Sequence, residues 1–370
     1  MRRPYYPGKL AILQRVLPTY RVPFFDLLAE SCQGGLSLCA GKPRSSEVIE
    51  TTRELKAANF TPANNFHLLA GSLYMCWQAG LIDWLTSQNP DALIVEANPR
   101  YLSTPIAIRW MKRRSRPVIG WGLGSPPLSG ALAPLREAGR LNFIRQFDAL
   151  LTYSQRGADQ YQALGYPAEQ IFVAPNAVTL RTNQLLLERA PFFKNRASLL
   201  FIGRLQSRKR VDLLLRACAA LPLEMQPRLV IVGDGPERGT LESSARNIYP
   251  QAEFTGSRYG PELIPYFEEA DLFVLPGTGG LAVQEAMSHA LPVIVAQGDG
   301  TQDDLVRPGN GWQIPANDLY ALINSIHLAL VDPIQLRKMG MESYRIVSEE
   351  INLERMVEVF VDVVGKVGNI

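Results

Sequence analysis

Cysteine and histidine are scarce in this 370-residue chain, with four of one and three of the other. Cys32, Cys39, Cys76 and Cys218 are dispersed without CxxC spacing, and no Cys/His group has the pattern of a zinc site. Buried free thiols in a reducing cytosol are the expectation. An excess of charge is lacking as well, because 38 Lys and Arg face 35 Asp and Glu for a net +3. That balance gives no reason to expect nucleic acid as a partner. Long apolar runs are also missing. The early run LAILQRVL is broken by Gln14 and Arg15, so it does not read as a signal peptide, and nothing approaches the ~20 apolar residues that cross a bilayer. The expectation is a cytoplasmic chain, at most peripheral to a membrane.

What is present is the composition of an ordinary globular protein, 46% hydrophobic and 20% charged, and enough length for two domains. Short apolar runs alternate with stretches of helical periodicity from end to end, the pattern of parallel sheets covered on both faces by helices. The spacing predicts strands at residues 9–13, 36–39, 66–69, 92–96, 117–121, 149–153 and 171–174 in the first half. In the second half it predicts them at 199–202, 228–232, 252–254, 272–275, 292–295 and 311–314. The fold class is therefore α/β with two doubly wound Rossmann-like domains. The first domain is placed at 1–178, the connection at 179–196 and the second domain at 197–350. Apolar residues at helical spacing in 351–370 predict a C-terminal helix packing back on the first domain.

Three segments of the second half carry chemistry. The strand LLFIG ends at Gly203 and releases Arg204, Arg208, Lys209 and Arg210 before an apolar helix. Basic groups at a strand's carboxyl end and a helix start can neutralise a diphosphate, though a solvated basic turn has the same composition. Gly233 and Gly235 follow the next strand in a tight turn, common also where no ligand binds. Most informative is LPGTGGLAVQEAM, where Gly279, Gly280 and Leu281 offer amides at a helix start and Glu285 can accept from ribose hydroxyls. A glycine turn with an incidental helix carboxylate is the structural alternative.

The order of GRLQSRK at 203–209, VGDGP at 232–236, FTG at 254–256 and GGLAVQEAMSHALPVIV at 279–295 resembles the retaining glycosyltransferases of family 4, whose fold is GT-B, with its two domains facing a central cleft. The resemblance implies that 197–350 binds a nucleotide-sugar donor. Arg204 and Lys209 would hold its diphosphate and offset charge on the leaving nucleotide. Gly203, Gly233, Gly279, Gly280 and Leu281 would line the donor, and Glu285 would meet the ribose. The implied base is uridine, with guanosine and adenosine as alternatives. One position departs from the family: the first glutamate of its paired-glutamate motif falls at Gly277, which has no side chain to touch the sugar.

The first half resembles the family more weakly, through LPTYRVPFFDLL at 17–28. Arg21, Tyr20, Pro18 and Phe24 are candidates for an acceptor or phosphate pocket, with Glu96 and Asn98 after another strand; a helix start or cap is the plainer role for each. Relatives often present a histidine where Leu123 stands here. His67, His289 and His327 lie elsewhere, so no general base is assigned, and electrostatic stabilisation of the leaving group would carry the reaction. Asn176 matches a family position at the domain junction. Arg109, Lys112, Arg113, Arg114 and Arg116 form a basic helix end, read either as a solvated terminus or as a contact with anionic membrane lipid or a lipid-diphosphate acceptor. Asp303 and Asp304 are adjacent in an expected loop and make no DxD pair, so neither metal nor another cofactor is expected. The resulting reading is transfer of a hexosyl group to a glycan, lipid-linked or small-molecule acceptor. A nucleotide-sugar epimerase and a catalytically impaired nucleotide-sugar-binding protein are the competing readings.

Overall fold

The computed structural model describes residues 5–47, 49–182, 189–298 and 300–368. Parts of the expected N-terminal domain, connection and C-terminal segment, as well as Asp299, therefore lie outside the described residues. Two compact units emerge, one of residues 1–178 with 353–370 and one of 179–352.

The strands are β1 (Leu10–Val16), β2 (Leu36–Gly41), β3 (Asn59–Pro62), β4 (Asn64–Leu68), β5 (Met75–Ala79), β6 (Ala92–Glu96), β7 (Val118–Gly122), β8 (Ala149–Thr152) and β9 (Ile171–Val173) in the first unit. The second holds β10 (Ser198–Ile202), β11 (Arg228–Val232), β12 (Ala252–Gly256), β13 (Leu272–Leu275), β14 (Val293–Ala296) and β15 (Gly311–Ile314). Seven strands of the first unit form a parallel sheet in the order β3-β2-β1-β6-β7-β8-β9, and the second unit's sheet runs β12-β11-β10-β13-β14-β15. Central strands such as β6 and β13 are continuous apolar runs because helices bury both faces of a parallel sheet.

Two strands had no counterpart in the sequence pattern, β3 at the sheet edge and β5. The strand expected at 66–69 is β4, and it does not join the parallel sheet. It pairs antiparallel with β5 in a separate hairpin, Phe66 opposite Trp77 and Leu68 opposite Met75. Its apolar residues resemble those of a buried strand, and only the partner's position distinguishes the two.

Helix ends follow local chemistry. The Ser154 hydroxyl accepts from the Gly157 amide at 3.1 Å, starting the helix Gln155–Ala163, and Asp318 caps Leu319–Val331 in the same way. The C-terminal helix Leu353–Val367 buries Met356, Phe360 and Val364 along one face. Phe360 meets Phe24 and Trp121, each with ring centroids 4.9 Å apart, and this aromatic cluster anchors the helix to the first unit. All four cysteines are buried and free, and burial pushes the Cys32 and Cys39 thiols up to about 12. Among the described residues no single helix is long and apolar enough to cross a membrane.

Candidate functional site

In the second unit the chain runs outward from β10 through β11 to β12, then returns to lay β13, β14 and β15 on the other side. The strand order reverses between β10 and β13. Loops leaving the carboxyl ends of those strands diverge there, and such a switch point is where open α/β sheets hold ligands.

The two loops at this point are stitched together. The Lys209 ammonium donates to the Thr278 carbonyl at 2.5 Å, the Thr278 amide donates to the Arg208 carbonyl at 3.1 Å, and Arg208 Nη1 donates to Thr278 Oγ1 at 3.1 Å. Arg210 ends the short turn Ser207–Lys209 in a left-handed conformation, φ +54°, and pairs with Asp212 at 2.9 Å. The expected diphosphate residue Lys209 is thus brought against the glycine loop. Arg204, half-buried, sits one residue beyond Gly203 in the same β10 loop.

Gly277 is buried beneath this junction. A Cβ there would lie 2.5 Å from Lys209 Cα and press on the Arg208 carbonyl, so no side chain fits. The position where the resembling family carries its first glutamate is filled here by the backbone of the basic loop. Gly279 has φ +138°, and a Cβ would collide with the Lys209 ammonium. Gly280 caps the helix Leu281–Ser288, which begins at Leu281.

Glu285 lies on that helix. Its half-buried carboxylate has no hydrogen-bond or ion-pair partner among the described residues, and burial raises its pKa. It is an acceptor without a donor among the described residues. The Gly233 amide donates to the Gly256 carbonyl at 2.9 Å, closing the β11 loop beside that of β10, where Gly203 donates to Val232 O at 3.0 Å.

Two buried glutamines not singled out in the sequence brace this unit, one of them at the glycine loop. The fully buried Gln302 donates to the Gly279 carbonyl at 2.8 Å, and buried Gln284 donates to Thr179 Oγ1 at 2.6 Å and Ile351 O at 3.0 Å. Gln302 stands between polar neighbours with no periodic signal, and Gln284, although inside the quoted LPGTGGLAVQEAM segment, takes its role from partners distant in sequence. Asp303 and Asp304 lie not in a loop but in the short helix Thr301–Leu305. His289 is a packing residue, stacked on Phe267 at 4.5 Å, and burial lowers its pKa. His327 is on the helix Leu319–Val331.

The first unit has its own strand-order reversal, between β1 and β6. Glu96 ends β6 there and accepts the Arg15 amide at 2.6 Å. Burial pushes its carboxyl up to about 7, against the opposing pull of Arg15. Asn98 accepts from the Arg100 amide at 3.1 Å, a turn role. Arg21 ends the short turn Thr19–Arg21. It is 7% exposed, its guanidinium donates to Asn176 Oδ1 and to Ala177 O at 3.4 Å, and the rings of Tyr20, Trp121 and Tyr153 surround it at 5.4–5.8 Å. It therefore fastens the 18–21 turn to the Asn176 segment. Phe24 is core, whereas Tyr20 and Leu123 are half exposed. His67 belongs to the hairpin, bonded to Tyr74 Oη at 2.9 Å. In the basic helix end, Arg114 stacks on Trp110 at 3.8 Å and Arg116 bonds Asn89 at 2.6 Å and Pro90 O at 2.9 Å. Arg109, Lys112 and Arg113 remain exposed.

Residues 184–345 match the family model Glycosyl transferases group 1. This stretch covers the switch-point loops just described. Over 121 residues the chain is 39% identical to the GDP-mannose-dependent alpha-mannosyltransferase of Mycobacterium tuberculosis, covering 32% of this chain and 30% of that protein. It is 27% identical to D-inositol 3-phosphate glycosyltransferase 1 of Catenulispora acidiphila, over 57% of this chain and 56% of that one. The chain thus spans under two thirds of the length of these curated relatives. Solved structures match almost throughout. The lipopolysaccharide outer core galactosyltransferase WaaB has a TM-score of 0.69 at 17% identity, covering 97% of this chain and 99% of its own. Anabaena HepE in complex with UDP has 0.71 at 15%, covering 97% and 99%. At such identities the likeness carries the fold. That fold is GT-B, with two Rossmann-like units in one chain.

Proposed function

We propose that this chain is a retaining hexosyltransferase of the family 4 type, moving a hexosyl group from a nucleotide-sugar to a glycan or lipid-linked acceptor without a metal ion. The observation that carries the reading is the junction of Lys209 with the Gly277–Gly280 loop at the switch point, followed by the helix that bears the Glu285 carboxylate, which has no partner among the described residues. A cation, the amides of a helix start and a carboxylate are the groups a nucleoside diphosphate requires. The group 1 match over 184–345 falls on the same residues.

In this reading Arg204 and Lys209 stabilise the departing diphosphate and Glu285 accepts from the ribose hydroxyls. The acceptor oxygen bonds to the anomeric carbon on the face from which the phosphate leaves. The bond from that carbon to the phosphate oxygen breaks, and the acceptor's proton leaves with the departing nucleotide. Preorganised positive charge supplies most of the acceleration. Uridine is the base implied by the sequence resemblance, and the mannosyltransferase relatives are named for GDP-mannose. The proposal therefore commits to the shared chemistry, a nucleoside diphosphate hexose.

Calorimetric titration of UDP-, GDP- and ADP-sugars against the chain tests the binding half, and Arg204→Ala with Lys209→Ala tests the assignment. Donor affinity and turnover unchanged in both variants would refute it. Incubation with donor alone separates transfer from epimerisation, which needs no acceptor. Binding without transfer across acceptors would favour an impaired binding protein.

A further inference from the structure

The hairpin β4–β5 is built inside out. Its inward face is polar: Asn65 donates to Arg15 O at 2.7 Å and Lys42 O at 2.9 Å, His67 contacts Lys42 O at 3.1 Å, and Gln78 donates to Gln14 O at 3.0 Å. The outward face carries the cross-strand pair Phe66 and Trp77, exposed by 55% and 37%, with Leu68 beside them at 43%. At the tip, Leu69 and Leu73 are 63% and 69% exposed. A half-buried antiparallel sheet normally turns its apolar residues to the core and its polar ones to water. Here the order is reversed, and the outward residues have no cover.

Two further observations bear on what covers them. Leu69 holds a left-handed backbone, φ +58°, which is uncommon for a large side chain, and leaves that side chain in solvent. Residues 57–82, which contain the hairpin, carry no Asp, Glu, Lys or Arg and form the longest uncharged run of the chain. The rim is basic. Lys42 and Arg100 are exposed and joined to the hairpin through their carbonyls, the latter at 3.0 Å from the Cys76 amide, and Arg44 stacks on the Tyr74 ring at 4.4 Å. Of the acids nearby, Glu47 is already paired with Arg15 at 2.8 Å and Arg44 at 3.1 Å, while the exposed Asp83 shares a pocket wall with Trp77 at the far end of the hairpin from Leu69 and Leu73.

From this apolar tip within a cationic rim we infer that the hairpin docks the protein onto an anionic lipid surface, inserting Leu69, Leu73 and the Phe66–Trp77 face while Lys42 and Arg100 meet the headgroups. The hairpin is tied to the carboxyl edge of the first unit's sheet, since Gln78 bonds Gln14 of β1 and the Gln78 amide donates to Ser103 Oγ at 2.7 Å. That edge also holds Glu96. The inference therefore deepens the acceptor side of the proposed transfer, favouring an acceptor presented at a membrane.

The test is flotation of the full chain with vesicles of phosphatidylcholine alone or mixed equally with phosphatidylglycerol, with neither donor nor acceptor present. The chain is expected to float with mixed vesicles, to fall off in high salt, and to ignore the neutral ones. Leu69→Ser with Leu73→Ser, and separately Lys42→Glu with Arg100→Glu, should each lower the bound fraction about tenfold at unchanged melting temperature, because one removes apolar insertion and the other headgroup attraction. Arg109→Glu with Arg113→Glu should float as the parent does. No flotation of the parent, hairpin variants that float normally, or loss confined to the Arg109 and Arg113 variant would overturn the inference. So would a dimer in solution that the serine variant converts to monomer. A failure here leaves donor binding untouched, so the two readings fail separately.

Discussion

Gly277 lies directly beneath Lys209: a Cβ on the glycine would stand 2.5 Å from the lysine Cα. The missing side chain at 277 and the placement of the Lys209 cation are therefore one structural fact. The basic loop descends into the space a side chain would need, and Thr278 then fixes the ammonium.

Placing at 277 the glutamate of the family that the sequence resembles should consequently harm the protein. Gly277→Glu is expected to push the 208–209 backbone outward and cost about 1–3 kcal/mol, the usual range for overpacking a filled site. Donor affinity should fall with it. Urea denaturation and donor titration of the same variant measure both effects, and an unperturbed, active Gly277→Glu protein would contradict the packing described.

Lys209→Ala removes the cation but leaves the backbone contact that excludes a side chain at 277. Turnover should drop by about 10²–10³-fold, the scale of losing one preorganised group facing developing negative charge. The melting temperature should hardly change. Steady-state kinetics and a thermal melt distinguish this outcome from unfolding.

Glu285 should give a pH signature. Its carboxyl is raised above the ordinary value by burial, and only the ionised form offers acceptors alone to the ribose. Donor affinity is expected to weaken on acidification toward that raised pKa. Glu285→Gln should flatten the dependence and weaken binding at neutral pH, as titrations across the acid range would read.

Glu96 makes the opposite kind of prediction, about stability. Its pKa rises from 4.5 in the unfolded chain to about 7 in the fold, so between those values the native state holds the extra proton. The contribution is complete below the lower value and is lost as pH climbs through the upper one. Glu96→Gln should remove that decline, which urea denaturation at several pH values would detect.

Phe360 holds the C-terminal helix through Phe24 and Trp121. Phe360→Ala should cost about 3–5 kcal/mol, as large buried aromatics do when truncated. Equilibrium unfolding followed by fluorescence checks it.

The sequence by itself determined the class of fold and most of its strands. A strand buried on both faces must be a short apolar run, so β6, β11 and β13 could be read to the residue. It also placed the basic and glycine-rich loops at strand ends, because turn chemistry is local. What it could not supply was anything set by a distant partner. The run around Phe66 looks like a core strand and is an exposed hairpin, since period and composition do not say which side another element covers. Arg21 looks like a cleft cation and is a buried fastening, because its partner Asn176 lies 155 positions away. The absence at Gly277 was visible in the sequence. Only tertiary structure supplied its reason, the Lys209 backbone occupying the space.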